Sequence, residues 1–297
     1  MLYAQYSNKL YPTTAVLDNK NSYLQASHSK IKNKNHLQFK EAGIDVGTNN
    51  LAAIFINDEI TPSLIVDGRK YKDYNFKFNQ LITELNKNKT IKCAKKRKKI
   101  EKIISSLYEK RDKYLKDQFF KIAKRITEYL YLNGVSTVYV SGNPAGLRNM
   151  WENNSNKTIP QYSDQIYFFK FLRYIKCHAQ DYGIRVYYID ERYTSKTSCI
   201  SDDIKNIQNN SNLTNTFNGK RVTRGLFMDT VINKAFHADI NAAVNHIKVA
   251  TGEDFSWLKN RLFKLASPIR IKSNQEFCKL IKKLQNSTQI DKKAIFC

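Results

Sequence analysis

Residues 42–56 read AGIDVGTNNLAAIFI, and this stretch decides the fold. Two apolar runs flank a break rich in Gly and Asn at Gly47–Asn50. Such a break between apolar runs predicts a β-hairpin. Asp45 lies inside the first predicted strand, where aspartate is depleted in proteins generally. A carboxylate at such a position is a candidate for chemistry, although an ordinary strand aspartate is an equally open reading.

Downstream of the hairpin, strand and helix patterns alternate. Residues 63–68 predict a third strand, and apolar residues recurring near every 3.6 positions within 75–132 predict a long helix or a helical pair. The remaining predicted elements are a strand at 135–142, a helix at 164–182, a strand at 184–190 and a helix from Ala238 to Gly252. This order predicts the α/β class with a mixed sheet and flanking helices.

The segments outside this pattern define the expected domain organisation. Residues 1–40 are polar and only weakly periodic, which predicts a short N-terminal segment that is extended or poorly ordered. Residues 41–251 form the expected domain, which carries a helical insertion at 75–132 and an Asn-rich loop insertion at 200–222. Residues 252–297 are expected to be a basic C-terminal tail.

The charge of the chain points to a polyanionic partner. Fifty Lys and Arg residues against 26 Asp and Glu residues give a net charge of +24. An excess of this size destabilises a compact fold unless a polyanion binds it, so nucleic acid is the first candidate and an anionic membrane surface the second. A generally lysine-rich proteome is the remaining alternative.

The chain is expected to act in the cytoplasm, associated with the nucleoid. No run of about 18 apolar residues predicts a membrane span, and the first residues do not resemble a secretory signal. The five cysteines are scattered and odd in number, which favours a reducing compartment over a disulfide framework.

Two further acidic residues stand at the ends of predicted elements. Glu191 follows the strand at 184–190, and Asp239 opens the helix at 238. Together with Asp45 they could share two divalent cations, an arrangement suited to cleaving phosphodiesters. Mg²⁺ prefers such oxygen ligands. Taken singly, a helix cap for Asp239 and a solvated strand end for Glu191 remain the commoner alternatives.

Five quoted stretches, in order along the chain, resemble the TnpB (OrfB) proteins of insertion sequences, which are related to type V CRISPR effectors. GIDVGTNNLAAIF resembles their first RuvC motif, and DERYTSKTSCISDD (190–203) resembles the second. IVDGRKYKDYNFKFNQ (65–80), GKRVTRGLF (219–227) and HADINAAVNHI (237–247) resemble the intervening and closing blocks. The resemblance covers roughly residues 41–250.

This resemblance implies an RNase H-like (RuvC) fold and an RNA-guided, metal-dependent DNA endonuclease of a transposable element. It places Asp45, Glu191 and Asp239 on the catalytic, metal-binding triad. Two Mg²⁺ ions are the implied cofactors, with Mn²⁺ as a substitute. DNA and a guide RNA are the implied partners, and sequence specificity would come from base pairing.

Residues expected to contact nucleic acid fall into four groups. For the basic run a solvated face is the alternative, and for Asn241 and Asn245 the alternatives are orienting Asp239 or an ordinary polar helix position. His237 is a weaker candidate for contact with the metal site. The groups are the basic run Lys95, Lys96, Arg97, Lys98 and Lys99; the cluster Lys220, Arg221 and Arg224; Thr194 and Ser195 after Glu191; and Asn241 and Asn245 after Asp239.

Two departures from the family pattern qualify these expectations. Many TnpB proteins carry two Cys-x-x-Cys zinc pairs between the second and third motifs, whereas this interval holds Cys199 alone, so no zinc is predicted. Only about 40 residues precede Asp45, where the family has a long guide-binding half. A truncated and inactive copy, a separate chain that supplies that half, and a minimal variant are therefore the alternatives for this segment. For the function, a guided DNA-binding repressor and an unguided Holliday-junction or RNase H-type nuclease remain alternatives.

Overall fold

The computed structural model describes residues 39–87, 93–141, 159–189, 193–201 and 217–288. Within them the strands are β1 (Lys40–Asp45), β2 (Asn50–Ile56), β3 (Leu64–Asp67), β4 (Val135–Ser141), β5 (Arg185–Ile189), β6 (Gly219–Thr223), β7 (Leu226–Asp229), β8 (Lys234–His237) and β9 (Ile269–Ile271). The α-helices are α1 (Arg69–Lys87), α2 (Ala94–Leu132), α3 (Ile159–Asp181), α4 (Ala238–Thr251), α5 (Phe263–Ala266) and α6 (Asn274–Thr288).

Six strands form the central mixed sheet, in the order β5-β4-β1-β2-β3-β9. The pairs β1–β2 and β2–β3 are antiparallel, whereas β1–β4, β4–β5 and β3–β9 are parallel. The order 5-4-1-2-3 with β2 reversed is the strand order of the RNase H-like fold. The predicted hairpin, the predicted α/β class and the predicted mixed sheet are confirmed.

Apolar residues of β2 alternate between two hydrophobic cores, as the two-residue period of a strand requires. Ala52, Ile54 and Ile56 face the core shared with α2, α3 and α6. Ala53 and Phe55 face the second core, which α4 covers. The central sheet is therefore buried on both faces, which explains why β2 reads as a continuous apolar run rather than as an alternation of apolar and polar residues.

The predicted helical insertion is a pair of helices, α1 and α2. Their first contact cluster joins Phe78 and Ile82 of α1 to Ile104 of α2. The C-terminal part of α2 then enters the main core, with Leu115, Ile126 and Leu130 fully buried. Gly134 ends the connection with a φ of 78°, a left-handed conformation that favours glycine.

The expected loop at 200–222 is wrong in its last residues. Gly219–Thr223 is a strand, and with β7 and β8 it forms an antiparallel sheet in the order β6-β7-β8. We call these three strands the small sheet. Four of the five β6 residues are exposed, so the segment lacks the apolar alternation by which strands are predicted. Residues 202–216 lie outside the described residues.

The C-terminal segment differs from the expected tail, since its described part extends the folded core. β9 pairs with β3 as the sixth strand of the central sheet. Phe277 and Ile281 of α6 are buried in the main core. Lys264 of α5 is also buried, and its Nζ donates to the backbone oxygen of Ile56 at 3.1 Å and to Asp58 Oδ1 at 3.1 Å. These contacts attach the segment to the end of β2.

Membrane spans are not found in the parts of the chain that the structure describes, because the helices there are too short or too polar to cross a bilayer. The expected N-terminal segment falls almost wholly on residues 1–38, and the last nine residues of the expected tail are 289–297. Both lie outside the described residues.

Candidate nuclease site

Asp45 ends β1 on the face of the sheet that α4 covers. Gly43 lies two residues earlier and therefore on the same face. A Cβ on Gly43 would lie 1.8 Å from the backbone oxygen of Ala243, so only glycine allows α4 to pack this closely on β1. The close approach brings the first turn of α4 towards the end of β1. Asp45 is thus presented beside the N-terminus of α4.

Asp239 lies in the first turn of α4, but it does not cap that helix. The cap is His237, whose Nδ1 accepts a hydrogen bond from the backbone nitrogen of Asp239 at 3.3 Å. Burial lowers the pKa of His237, although the charge of Asp239 acts in the opposite direction. Because His237 satisfies the helix end, the carboxylate of Asp239 is available for other partners.

Asp45 and Asp239 line a single open cleft of about 380 Å³. We call it the carboxylate cleft. Its walls are built from four separate parts of the chain, which the fold brings together. They are the end of β1 with the following turn (residues 45–50), Thr194 and Ser195, the turn region of the small sheet with Arg221, Arg224 and Gly225, and Asp239 and Ala242 of α4.

Both carboxylate oxygens of Asp239 have partners within the cleft. Arg221 donates from Nη2 to Oδ1 at 2.8 Å, in an ion pair in which the Arg221 side chain is 37% exposed. Asn50 donates from Nδ2 to Oδ2 at 2.6 Å. One oxygen therefore faces an exposed cation of the small sheet, and the other faces an amide of the central sheet.

The basic residues of the small sheet line one wall of this cleft. Arg224 donates from Nη2 to the hydroxyl of Thr48 at 3.1 Å, and Arg221 Nε donates to the backbone oxygen of Arg224 at 2.9 Å. Lys220 is exposed on the same strand as Arg221 but does not line the cleft. Two of the three residues in this predicted cluster thus line the same cleft as Asp239, and one of them, Arg221, pairs with it.

Asn241 and Asn245 are fully buried, so the expectation that they touch a phosphate needs correction. Asn241 accepts from the backbone nitrogen of Cys199 and donates to the backbone oxygen of Thr197, both at 2.8 Å. Asn245 donates to the backbone oxygen of Thr194 at 2.8 Å. Their amides replace backbone partners that the loop at 193–201 lacks, which explains why they face inwards.

Lys248 lies about one turn further along α4, on the same face as Asn241 and Asn245. We call these three residues the polar stripe. Its Nζ donates to the backbone oxygen of Cys199 at 3.3 Å and to that of Ser201 at 2.6 Å, and the side chain is buried. Sequence reasoning missed this residue, although the spacing of Asn241, Asn245 and Lys248 marks one helical face. The stripe fixes Thr194 and Ser195 in the cleft wall; the side chain of Ser195 is exposed there, whereas that of Thr194 is buried.

Sequence reasoning also missed Asn50 and Arg270. The Oδ1 atom of Asn50 accepts a hydrogen bond from Nη1 of Arg270 at 2.8 Å. The same Arg270 nitrogen lies 3.5 Å from Oδ2 of Asp67. Asn50 and Asp239 are 189 positions apart and Arg270 lies on β9, so a local pattern cannot reveal the chain of contacts.

Glu191, the third expected carboxylate, lies outside the described residues. The described part of β5 ends at Ile189, which is in register with Ser141 of the parallel strand β4. Among the described residues, a cluster of three or more His, Cys, Asp or Glu side chains suited to a metal is not found. The cleft is lined by the carboxylates of Asp45 and Asp239, and carboxylate oxygens are ligands that Mg²⁺ prefers.

Lys95, Lys96, Arg97, Lys98 and Lys99 occupy the first two turns of α2 and are exposed. They are not among the residues that line the carboxylate cleft. Nucleic acid that contacts this basic run as well as the cleft must therefore extend outside the cleft.

Two family models match the chain over separate ranges. The model described as OrfB_IS605, probable transposase, matches residues 21–145. The model described as Cas12f1-like, TNB domain, matches residues 168–246. The first range contains Asp45 and the second contains Glu191 and Asp239.

Individual proteins give a consistent but partial likeness. The TnpB-like protein ORF457 of Acidianus two-tailed virus is 28% identical over 72% of this chain, and the match spans 42% of the length of that relative. A solved Cas12f1–sgRNA–target DNA complex has a TM-score of 0.44 at 19% identity, covering 69% of this chain and 48% of that one. A CRISPR-Cas12f ternary complex has a TM-score of 0.46 at 19% identity, covering 69% and 37%.

Proposed function

Because this chain belongs to the TnpB (OrfB) family, we propose that it is the RuvC-like nuclease part of an RNA-guided DNA endonuclease of a transposable element. The observation that carries this proposal is the carboxylate cleft. Two carboxylates from distant parts of the chain, Asp45 and Asp239, share it with the guanidinium groups of Arg221 and Arg224. Acidic groups beside cationic ones suit a site that must hold both divalent cations and a phosphodiester.

Asp45 and Asp239 are the proposed ligands of two Mg²⁺ ions, and Glu191 is the proposed third. Glu191 fits this role because it follows β5, which runs parallel to β4 and β1, so the C-terminal ends of these strands meet at the sheet edge where Asp45 lies. Mg²⁺ held by these carboxylates would lower the pKa of a water molecule and offset negative charge on the scissile phosphate. Mn²⁺ has the same preference for oxygen and is the expected substitute.

The cationic wall of the cleft would hold the nucleic-acid strand. Arg221 and Arg224 present guanidinium groups, which bind phosphate with two parallel hydrogen bonds. The ion pair between Arg221 and Asp239 is partly exposed, so it is weak enough to exchange. A phosphate would then pair with Arg221 and a divalent cation with Asp239, so each residue would exchange its present partner for a stronger one.

The basic run Lys95–Lys99 at the start of α2 is the proposed second contact surface. Exposed lysines bind phosphates without reading bases, as expected for a protein whose specificity comes from a guide RNA. A guide RNA and target DNA are thus the proposed partners. The family's guide-binding half, on a separate chain, is a third candidate partner.

The proposal is tested by purifying the full chain with its bound RNA, sequencing that RNA and assaying cleavage of a matching DNA with Mg²⁺. We expect cleavage by the wild type and a loss of about a thousandfold in Asp45→Asn, Glu191→Gln and Asp239→Asn, since each ligand contributes several kcal/mol and each 1.36 kcal/mol is tenfold. Asp117→Asn, which changes an exposed carboxylate on α2, is the matched control and should retain activity.

Other outcomes contradict the proposal and separate its rivals. RNA-dependent binding of DNA without Mg²⁺-dependent cleavage indicates a guided repressor. Cleavage of a four-way junction without RNA indicates an unguided nuclease. A protein that neither retains RNA nor cleaves DNA is an inactive remnant. Full activity in Asp45→Asn would show that the carboxylate cleft is not the active site.

A further inference from the structure

We propose that Asn50 and Arg270 are positioning residues that hold the Asp239 carboxylate in its metal-binding orientation, which makes strand β9 of the C-terminal segment a working part of the nuclease centre. The inference rests on the proposed function and deepens it. Asp239 Oδ2 accepts a hydrogen bond from Asn50 of the central sheet. Asn50 in turn accepts one from Arg270, which lies 220 positions further along the chain.

The amide of Asn50 can adopt one orientation only between these two neighbours. A guanidinium offers donors alone, so Arg270 must face the amide oxygen, at 2.8 Å. An ionised carboxylate offers acceptors alone, so Asp239 must face the amide nitrogen, at 2.6 Å. Arg270 therefore fixes the side of Asn50 that donates to Asp239. Without Arg270 the amide oxygen would lose its donor, and the Asn50 side chain would be free to turn away from Asp239.

Arg270 is itself held in place by the sheet and by a carboxylate. It lies on β9 in register with Ile65 of β3, and its Nη1 lies 3.5 Å from Asp67 Oδ2. Burial alone would raise the pKa of Asp67, but hydrogen bonds and charge from Arg69, together with the charge of Arg270, lower it instead. Asp67 thus stays ionised at neutral pH. In the contact chain Asp67–Arg270–Asn50–Asp239, each group therefore faces a neighbour of opposite charge or of complementary hydrogen-bonding type.

The two partners of Asp239 differ in what a metal would do to them. Arg221 is on the small sheet, and its ion pair with Oδ1 is accessible to solvent. Asn50 is the first residue of β2, and its contact with Oδ2 is partly buried. Arg221 could give up Oδ1 to a cation, whereas the Asn50 amide would keep its hydrogen bond to Oδ2. Hydrogen-bond partners of this kind typically contribute 10- to 100-fold to metal affinity.

The experiment measures binding of Mn²⁺ to the full chain by electron paramagnetic resonance, in the wild type and in Asn50→Ala, Arg270→Gln and the double variant. We expect each single variant to weaken the binding that depends on Asp239 by about 10- to 100-fold. The double variant should bind no more weakly than Asn50→Ala, because Arg270 acts through Asn50. Glu276→Gln, which removes a charge in the same C-terminal segment and away from the cleft, should bind as the wild type does.

The outcomes separate this inference from the proposed function. If Asp239→Asn abolishes binding while Asn50→Ala and Arg270→Gln leave it unchanged, the positioning role is overturned and the proposed function stands. If Asp239→Asn itself leaves binding unchanged, the proposed function fails and takes the inference with it. Losses that add fully in the double variant overturn the contact chain. Should Arg270→Gln lower the thermal midpoint, Arg270→Lys is measured beside it: Lys keeps a cationic donor for the Asn50 oxygen and should restore most of the Mn²⁺ binding, and an absence of any rescue would overturn the positioning role.

Discussion

The two sheets that meet at the carboxylate cleft are held together by different forces. The central sheet is buried on both faces, and its strands β2 and β3 are almost wholly apolar. The small sheet exposes most of β6, and although Phe227 and Phe236 pack into the second core, its links to the other walls of the cleft are polar. Those links are the pairs Arg221–Asp239, Arg224–Thr48 and Ser198–Asp229.

This difference gives the cleft one rigid wall and one wall whose polar contacts can exchange. Apolar packing around Asp45 fixes a carboxylate to a backbone that cannot move without opening the core. Exposed ion pairs around Arg221 contribute little to stability and can be replaced by a phosphate. The proposed nuclease function would need both properties, since metal ligands must be preorganised while substrate contacts form and break in every cycle.

The largest effect is expected from adding one methyl group to the central sheet. Gly43→Ala places a Cβ 1.8 Å from the backbone oxygen of Ala243, so α4 must move away from β1. We expect a loss of about 3 kcal/mol or more in the free energy of unfolding, measured with urea. Gly225→Ala in the small sheet is the control, because a Cβ there meets nothing within 4 Å. Equal losses in the two variants would contradict the contrast between the sheets.

A pH effect of nearly similar size is expected from His246, which is buried under β1 with its Nδ1 3.1 Å from the backbone oxygen of Ile44. Burial lowers its pKa from 6.5 to about 4, although the hydrogen bond acts in the opposite direction. Between these values the unfolded chain binds a proton that the folded chain does not. Stability should therefore fall as the pH drops from 6.5 to 4, by up to about 3 kcal/mol.

The measurement is the unfolding free energy of wild type and His246→Gln across that pH range. Other carboxylates titrate near its lower end, so the difference between the two proteins is the informative quantity. A wild-type slope no steeper than that of His246→Gln would show that His246 is charged in the folded protein.

An intermediate effect is expected where the polar stripe of α4 holds the loop at 193–201. Asn241→Ala leaves the buried backbone groups of Cys199 and Thr197 without partners, which costs about 2 kcal/mol. Hydrogen exchange at Cys199 should accelerate by the same factor as global unfolding or more. Thr230→Ala removes a hydrogen bond at the exposed edge of the small sheet and should cost under about 0.5 kcal/mol. A stable Asn241→Ala protein with an unprotected loop would restrict the stripe to a local role.

The smallest effect on stability is expected from Arg221→Ala, since it removes an exposed ion pair of about 0.5 kcal/mol. Its effect should appear in nucleic-acid affinity instead. The slope of log affinity against log salt should fall by about 1 relative to wild type. Lys279→Ala, an exposed change on α6, should leave that slope unchanged. An unchanged slope for Arg221→Ala would assign the residue to the fold alone.

The sequence predicts the central sheet well because local signals determine it. The turn at Gly47–Asn50 and the apolar run of β2 predict the hairpin, and the glycines at 134, 183 and 252 mark the ends of α2, α3 and α4. Asp45 is also recognisable, since a carboxylate inside an apolar strand conflicts with strand preferences.

The remaining features depend on contacts that no local pattern encodes. β6 has one buried residue in five, and β9 has three residues in all, so neither offers a usable period. Asn241 and Asn245 read as polar helix positions until the loop that they bind is known. Asn50 reads as a turn residue, although its amide joins Asp239 to Arg270 across the fold.

An experimental structure with Mn²⁺ tests the central claim most directly, because anomalous scattering locates the ion independently of activity. The account predicts two Mn²⁺ peaks about 4 Å apart in the carboxylate cleft. Their ligands would be Asp45, Asp239 and Glu191, and Arg221 would be displaced from Asp239 Oδ1. Mn²⁺ bound elsewhere, with Arg221 still paired to Asp239 and Glu191 directed away from the cleft, would contradict it.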